Sequence, residues 1–472
     1  MKNVKVAIIG AGSAGLSALR QVQQQTDNYV LIDQTPLGTK CARTGCMPSK
    51  ALLIAANDFH RRRVFEQAGI RGADGLTVDI PAVLRQVRRL RDRFTEGMIE
   101  TTRRLAGDRL ITARAQITAP DRIRIGNEDI AAEAVIIAAG SRPLVPGPWR
   151  QYGDRILTSD TLFEQPDLPG RIAVVGLGPI GLEIGQALAR LGLAVTGFDM
   201  KPTIGAITDP AVSDRALGLF NDELPLCLNA PAKLTEPNGA LRITHPDKDV
   251  TVDAVLAAMG VVPAVDGLGL ENLGVQLDER GLPPYNPRTM QVADVPVFIA
   301  GDVNGCRPIL HEALDEGYVA GHNAVNGKTD CYCRRTALGV VFSDPQIAAA
   351  GLRYEQLKNS GREFVTGSAD FAEQSRAILE THNRGLLQVY ADRQTAQLLG
   401  AEMVIPDAEH LAHQLAFALQ HQHTVFDMLQ APFYHPTLEE GLRSALKNAA
   451  HQLPQKADPL TLCEPCPESP LC

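Results

Sequence analysis

The chain has 472 residues, 44% of them hydrophobic and 21% charged, with 41 glycines and 31 prolines. That length suggests about three domains, and that balance excludes a disordered, fibrous or membrane-embedded protein. A net charge of −8 and the lack of any apolar run of about 18 residues argue against nucleic acid or a membrane as partner.

The first apolar run, Val6 to Ile9, meets glycines at once and has no cleavage-site pattern. It reads as a strand and not a signal peptide, so a cytoplasmic location is expected. Nine cysteines, an odd number at low density, exclude a disulfide-stapled secreted fold. They are unevenly placed. Cys41 and Cys46 form one close pair, Cys331 and Cys333 another, and Cys463, Cys466 and Cys472 crowd the end, while Cys227 and Cys306 stand alone.

Residues 4–9 predict a buried parallel strand, followed by Gly10, Gly12 and Gly15 as G-x-G-x-x-G and a helix from about Ala14 to Gln25. A second strand, from Tyr29, ends at Asp33. Such glycines permit a tight turn and let the backbone approach a pyrophosphate seated on the helix N-terminus. The acid about 20 residues on accepts from a ribose hydroxyl. The same unit recurs: a strand over Ile172–Val175, Gly176, Gly178 and Gly181, a helix to Leu191, and Asp199 at the same interval. Two units imply two dinucleotides, usually a nicotinamide and a flavin between which hydride passes. One working unit beside a decayed copy is the alternative.

Short apolar strands precede Gly140 and Gly260, and another leads into Ala300-Gly301-Asp302. Leu282 to Pro287 predicts a surface loop. From about Val340 the texture shifts to strands, near residues 385–390 and 398–404, and then helices. This suggests a separate α+β module, and a mobile tail is expected after about residue 450. His410, His413, His421 and His423 lack the partners of a metal site and read as a polar helix face; no metal is expected.

The segment Cys41-Ala-Arg-Thr-Gly-Cys46-Met-Pro-Ser-Lys50 places two cysteines five residues apart. In a regular helix their Cα atoms would lie roughly 8.6 Å apart, beyond the reach of about 7 Å that a disulfide allows. A bridge therefore needs a distorted turn, which Gly45 permits. Two buried thiols are the alternative to a redox pair.

This segment resembles the redox motif of the class I pyridine nucleotide–disulfide oxidoreductases, and the resemblance extends to about residue 450. It includes both glycine units, Gly301-Asp302, and His435-Pro436-Thr437 with Glu440. It implies an α/β fold with two Rossmann-like domains and a C-terminal α+β dimerisation domain. FAD would occupy 1–148 and 268–335, NAD(P) 149–267, and dimerisation 336–455, leaving 456–472 as a cysteine-rich tail. Gly10, Gly12, Gly15, Asp33, Thr39, Lys50, Ala115, Gly140 and Asp302 would line FAD. Gly176, Gly178, Gly181, Asp199 and Gly260 would line the nicotinamide nucleotide, with NAD expected over NADP because Met200-Lys201 offers no arginine pair for a 2′-phosphate.

The family's roles imply Cys46 as the flavin-proximal thiol, Cys41 as the exchanging thiol, and Lys50 paired with Glu183 beside the flavin. His435, oriented by Glu440, would be the base, supplied across a homodimer. Pro48-Ser49-Lys50 is similar to dihydrolipoamide dehydrogenases, and His435 argues against mercuric reductase. Arg43 stands where the family usually has asparagine, and Asp33 where glutamate is commoner. The expected substrate is thus a lipoyl or small-molecule disulfide or dithiol. Alternatives are another disulfide or a thiophilic metal served by the tail thiols Cys463 and Cys466, and a non-catalytic flavoprotein. Ten residues from Pro454 to Cys463 would span about 33 Å, enough to reach a cleft; the alternative is a tail whose cysteines are incidental.

Overall fold

A computed structural model of the protein describes residues 2–34, 36–327 and 329–456. Cys463, Cys466 and Cys472, with the relay suggested for them, lie outside these residues. Among the described residues no helix is long and apolar enough to cross a membrane.

The first sheet is built on continuous apolar runs. Lys2–Ile9 pairs in parallel with Tyr29–Asp33 on one side and with Glu128–Ile137 on the other. Such strands are buried on both faces, and Val6, Ala7 and Ile8 are fully so. Leu110–Thr112 extends the sheet beyond Asp33, and Val297–Ile299 pairs with the C-terminal half of Glu128–Ile137. The return of a strand near residue 297 to a sheet begun at residue 2 is a tertiary event with no local sequence cause. Helix α1, Ser13–Gln23, packs on this sheet and against the helix Leu310–Asn326. Glycine makes that second contact close: a Cβ at Gly317 would lie 2.2 Å from the Ala14 carbonyl oxygen.

Two helices follow, α2 (Lys40–Arg43) and α3 (Cys46–Arg61), and then α4 (Ile80–Ala106), whose N-cap Asp79 accepts from the Ala82 N–H. The second parallel sheet runs Leu226–Cys227, Ala194–Phe198, Arg171–Val175, Ala254–Ala257 and Ile156–Leu157 in spatial order. Its glycine turn enters α5, Pro179–Arg190. A two-stranded ribbon, Ser141–Pro143 against Val261–Pro263, joins the two sheets.

The third region is a five-stranded antiparallel sheet, with Leu386–Asp392 and Leu398–Ile405 near its centre. These two strands are buried along their whole length. Helix Glu439–Gln452 packs against Leu386–Asp392, and helix Pro210–Asn221 of the second region reaches both strands. One apolar cluster crosses all three regions. It joins Leu52 and Ala56 of α3, Leu84 of α4 and Ile184 of α5 to Val341 and Ile347. The proline-rich stretch expected as a surface loop is only partly one, because Leu282 is 4% exposed and packs under the first sheet.

Candidate functional site

The two glycine units are built alike. Gly10 and Gly176 have φ of +109° and +95°, and a Cβ there would strike the carbonyl oxygen of Ala138 and Ala258 at 2.2 and 2.4 Å. Gly15 and Gly181 bring helix against strand, where a Cβ would lie 1.9 and 1.8 Å from the Gly10 and Gly176 carbonyl oxygens. The middle glycines differ. Gly12 and Gly178 are the N-caps of α1 and α5, a Cβ on either meets nothing within 4 Å, and no side chain caps either helix. A helix start that no side chain caps, beside space that a Cβ would occupy, fits a pyrophosphate. These residues therefore fit the two dinucleotides.

The acids do more than the ribose reading requires. Asp33 accepts from the Ala11 N–H at 2.7 Å, and Asp199 accepts from the Leu177 N–H at 2.7 Å. Each carboxylate thus braces its own glycine turn. The second oxygen of Asp199 takes the Lys201 N–H at 2.9 Å.

Other expected cofactor residues lie along the first unit and the connecting ribbon. Ser141 donates to Asp302 at 3.0 Å, and the Gly301 N–H donates to buried Glu316 at 2.8 Å. Burial pushes the Glu316 carboxyl above its ordinary range despite Arg334 and these donors. Gly140 and Gly260 both have positive φ with open space at their Cβ positions, at the two ends of the connecting ribbon. Ala115 is buried at the start of a strand two residues past Ala113, whose N–H donates to the Asp33 carbonyl. Thr39 caps α2, accepting from the Ala42 N–H.

Between the cysteines the helix breaks, the distorted turn that a bridge between them would need. Helix α2 ends at Arg43, Thr44 leaves helical geometry, and α3 restarts with Cys46 in its first turn. Gly45 lies against the start of the turn, where a Cβ would be 3.2 Å from the Lys40 carbonyl oxygen and 3.3 Å from the Cys41 Cα. Cys46 is exposed and Cys41 half-buried. The Cys41 thiol donates to Cys46, which lowers Cys46 to about 6; desolvation opposes this, and Lys50 adds to it. The same bond and burial push Cys41 far up. Proton and charge are thus separated, the proton on Cys41 and the charge on Cys46. Two features favour that division: a helix N-terminus stabilises an anion, and Lys50 lies one turn along the same face.

Lys50 Nζ lies 2.8 Å from Glu183 Oε2 and 4.5 Å from the centre of the Phe342 ring. The other oxygen of Glu183 accepts from the Phe342 N–H at 2.9 Å. One protomer therefore unites Cys41, Cys46, Lys50 and Glu183. It does not unite His435 with them. That imidazole is paired through Nδ1 to Glu440 at 3.0 Å, is 71% exposed, and has no hydrogen bond to either thiol. The Thr437 N–H also holds Glu440.

The model for pyridine nucleotide-disulphide oxidoreductases matches residues 4–325. The chain belongs to that family. The dimerisation-domain model of these oxidoreductases matches residues 338–446. Among family members, dihydrolipoyl dehydrogenase of Haloferax volcanii is 32% identical over 95% of this chain and 96% of its own length. Dihydrolipoyl dehydrogenase of Thermus scotoductus is 30% identical over 96% of this chain and 100% of its own. LpdA of Mycobacterium tuberculosis superposes with a TM-score of 0.82 over 95% of this chain at 24% identity. The flavoprotein disulfide reductase RclA of Escherichia coli, solved with Cu(II), does so at 0.82 and 22%; both share the fold. The chain is an FAD-dependent, NAD-linked disulfide oxidoreductase.

Several residues that bond to the expected site residues, or to the helices that carry them, were not singled out along the chain. Ser141, Phe342, Asn57, Arg190 and Asp344 come from four separate segments. The motifs around Lys50, Gly140 and Glu183 pointed towards the elements of Asn57, Ser141 and Arg190, and nothing pointed to Phe342 or Asp344.

Proposed function

We propose that the protein passes electrons between a dihydrolipoyl-type dithiol and NAD+, and in reverse from NADH to the disulfide, as a cytoplasmic homodimer whose two redox centres each borrow a base. The residue roles, domain limits and substrate are those expected from the sequence. When bound, FAD supplies the two-electron relay between nicotinamide and dithiol.

The chain's own chemistry follows from the cysteines. In the direction of dithiol oxidation, His435 of the partner subunit takes a proton from the substrate, and the partner's Glu440 orients its ring. The substrate thiolate attacks Cys41 Sγ and breaks the Cys41–Cys46 bond. The electron pair leaves on Cys46, whose low pKa makes it the better leaving group. The substrate's second thiol then gives up its proton as it closes the substrate disulfide, and the released Cys41 takes up that proton. The observation that carries this reading is the division of roles between the thiols, with Cys46 beside Lys50 and Cys41 half-buried beside it.

The exposure of His435, held by the half-buried Glu440, supports supply across a dimer. Mixed dimers test it. Co-expressed Cys46→Ser and His435→Ala subunits should regain activity that neither parent shows, because one centre in the mixed dimer is intact. Activity no greater than that of the parents would reject the shared centre. The substrate is tested with NADH against lipoamide, glutathione disulfide, coenzyme A disulfide, thioredoxin and mercuric ion. Lipoamide should give the highest kcat/KM.

A further inference from the structure

The Lys50–Glu183 pair is one end of a longer seam. Helices α3 and α5 lie side by side and meet through polar groups at two levels. Lys50 meets Glu183, and two turns further along each helix Asn57 meets Arg190, with Nη1 to Oδ1 at 2.6 Å. The guanidinium is 1% exposed and its donors are fully used. Nε and Nη2 hold Glu223 at 2.6 and 2.8 Å, while Nη1 and Nη2 hold the Asp344 carboxylate and carbonyl at 2.8 and 2.9 Å.

The segment 342–344 of the third region follows the same seam. The Phe342 N–H donates to Glu183, and the Asp344 N–H donates to Gln186 at 2.8 Å. Gln186 returns a bond to the Asp344 carbonyl at 2.7 Å. One buried cation therefore ties together the helix that carries Cys46, the helix that carries Glu183, and the entry to the third region.

Apolar contact alone would not set the register here. Leu52, Leu53 and Ala56 pack in one cluster with Leu182, Ile184, Ala187 and Leu188, and such contact is non-directional. A slide of one helical turn, about 5.4 Å, would still bury these side chains but would part Lys50 from Glu183. A forked guanidinium with fixed partners on both sides resists that slide. Even a fully paired buried charge stabilises a fold no better than apolar residues of the same volume, so its presence here points to a task other than net stability.

We infer that Arg190 is a positioning residue for the redox centre, locking α3 against α5 through Asn57 so that Lys50 meets Glu183. This rests on the reading that Lys50 and Glu183 flank the flavin, where a cation favours the reduced form. The experiment measures the midpoint potential of FAD bound to the full chain in four proteins: wild type, Asn57→Ala, Glu183→Gln and the double variant.

Asn57→Ala removes one uncharged acceptor and leaves Arg190 its four bonds to Glu223 and Asp344, so folding is expected. Its flavin should be about tenfold harder to reduce, a shift of about −30 mV for a two-electron couple. The double variant should match Glu183→Gln, because the defect passes through that pair. An unchanged potential in Asn57→Ala beside a shifted one in Glu183→Gln would overturn the positioning role alone. An unchanged potential in Glu183→Gln would overturn the flavin-side reading beneath it. Additive shifts in the double variant would mean that Asn57 acts independently of Glu183 and would also reject the inference. If Asn57→Ala fails to fold, Arg190→Lys takes its place: it keeps the charge beside Glu223 and Asp344 but lacks the fork. It should give the same shift, and a wild-type potential would be decisive against the lock.

Discussion

Cys46 gains its character from three neighbours: the Cys41 thiol, the start of α3 and Lys50. The Cys41 contribution is the largest, and it can be removed alone. In reduced Cys41→Ala, the pH midpoint of thiolate absorbance for Cys46 should rise from about 6 towards the ordinary thiol value. A midpoint that stayed near 6 would transfer the effect to Lys50 and the helix. Asp199 is the second informative residue. Both its oxygens take backbone N–H groups, which fixes the carboxylate at the strand end where a 2′-phosphate would arrive. Like charges in that position repel, so kcat/KM should favour NADH over NADPH by at least about tenfold. Equal values for the two nucleotides would refute the assignment.

At the scale of elements, the three glycines of each turn have separate duties. The outer two are demanded by the protein's own backbone, since a Cβ would collide with carbonyl oxygens in the folded chain. The middle one is not, because Gly12 has open space around its Cβ position and an ordinary negative φ. Gly12→Ala should therefore leave the urea midpoint of the cofactor-free protein unchanged while weakening FAD binding at least about tenfold, since the cradle is filled. Gly15→Ala should instead lower that midpoint even without cofactor. An equal loss of stability in both would show that no space is reserved at Gly12. The break between α2 and α3 belongs to this scale too. Gly45 allows close approach to Lys40 and Cys41, so Gly45→Val should part the thiols and slow their oxidation to a disulfide, as followed by thiol titration.

For the molecule as a whole, the junction of the three regions is the sensitive place. His60, in the last turn of α3, lies 3.9 Å from Glu223 and faces Arg190, Arg63 and Asp344. Burial lowers its pKa to about 4, Arg190 acts in the same direction, and Glu223 opposes. Unfolding restores the ordinary value near 6.5, so the unfolded chain binds more protons between those limits. The stability tied to this neutral imidazole is complete above pH 6.5 and is lost as pH falls towards 4. The urea midpoint should accordingly drop across that interval, and drop less in His60→Gln. Equal slopes in the two proteins would remove His60 from the account.

Much of this protein was legible along the chain because its chemistry is local. The glycine turns, their acids and the Cys41–Cys46 spacing each lie within a short stretch, where backbone sterics and side-chain reach act, and the family resemblance implied the His435–Glu440 pair. The helix break between the cysteines is the one that a bridge at this spacing would need. The long helix α4, by contrast, was not anticipated, and the proline-rich stretch at 282–287 was assigned to the surface although Leu282 is buried; both depend on what packs over them. Tertiary structure alone decided which distant groups meet. Val297–Ile299 returns to the first sheet, Phe342 reaches Glu183, and Arg190 gathers Asn57, Glu223 and Asp344. The reason is physical: a polar group's partner is set by where burial leaves it unsolvated, and burial is a property of the packed whole rather than of any segment.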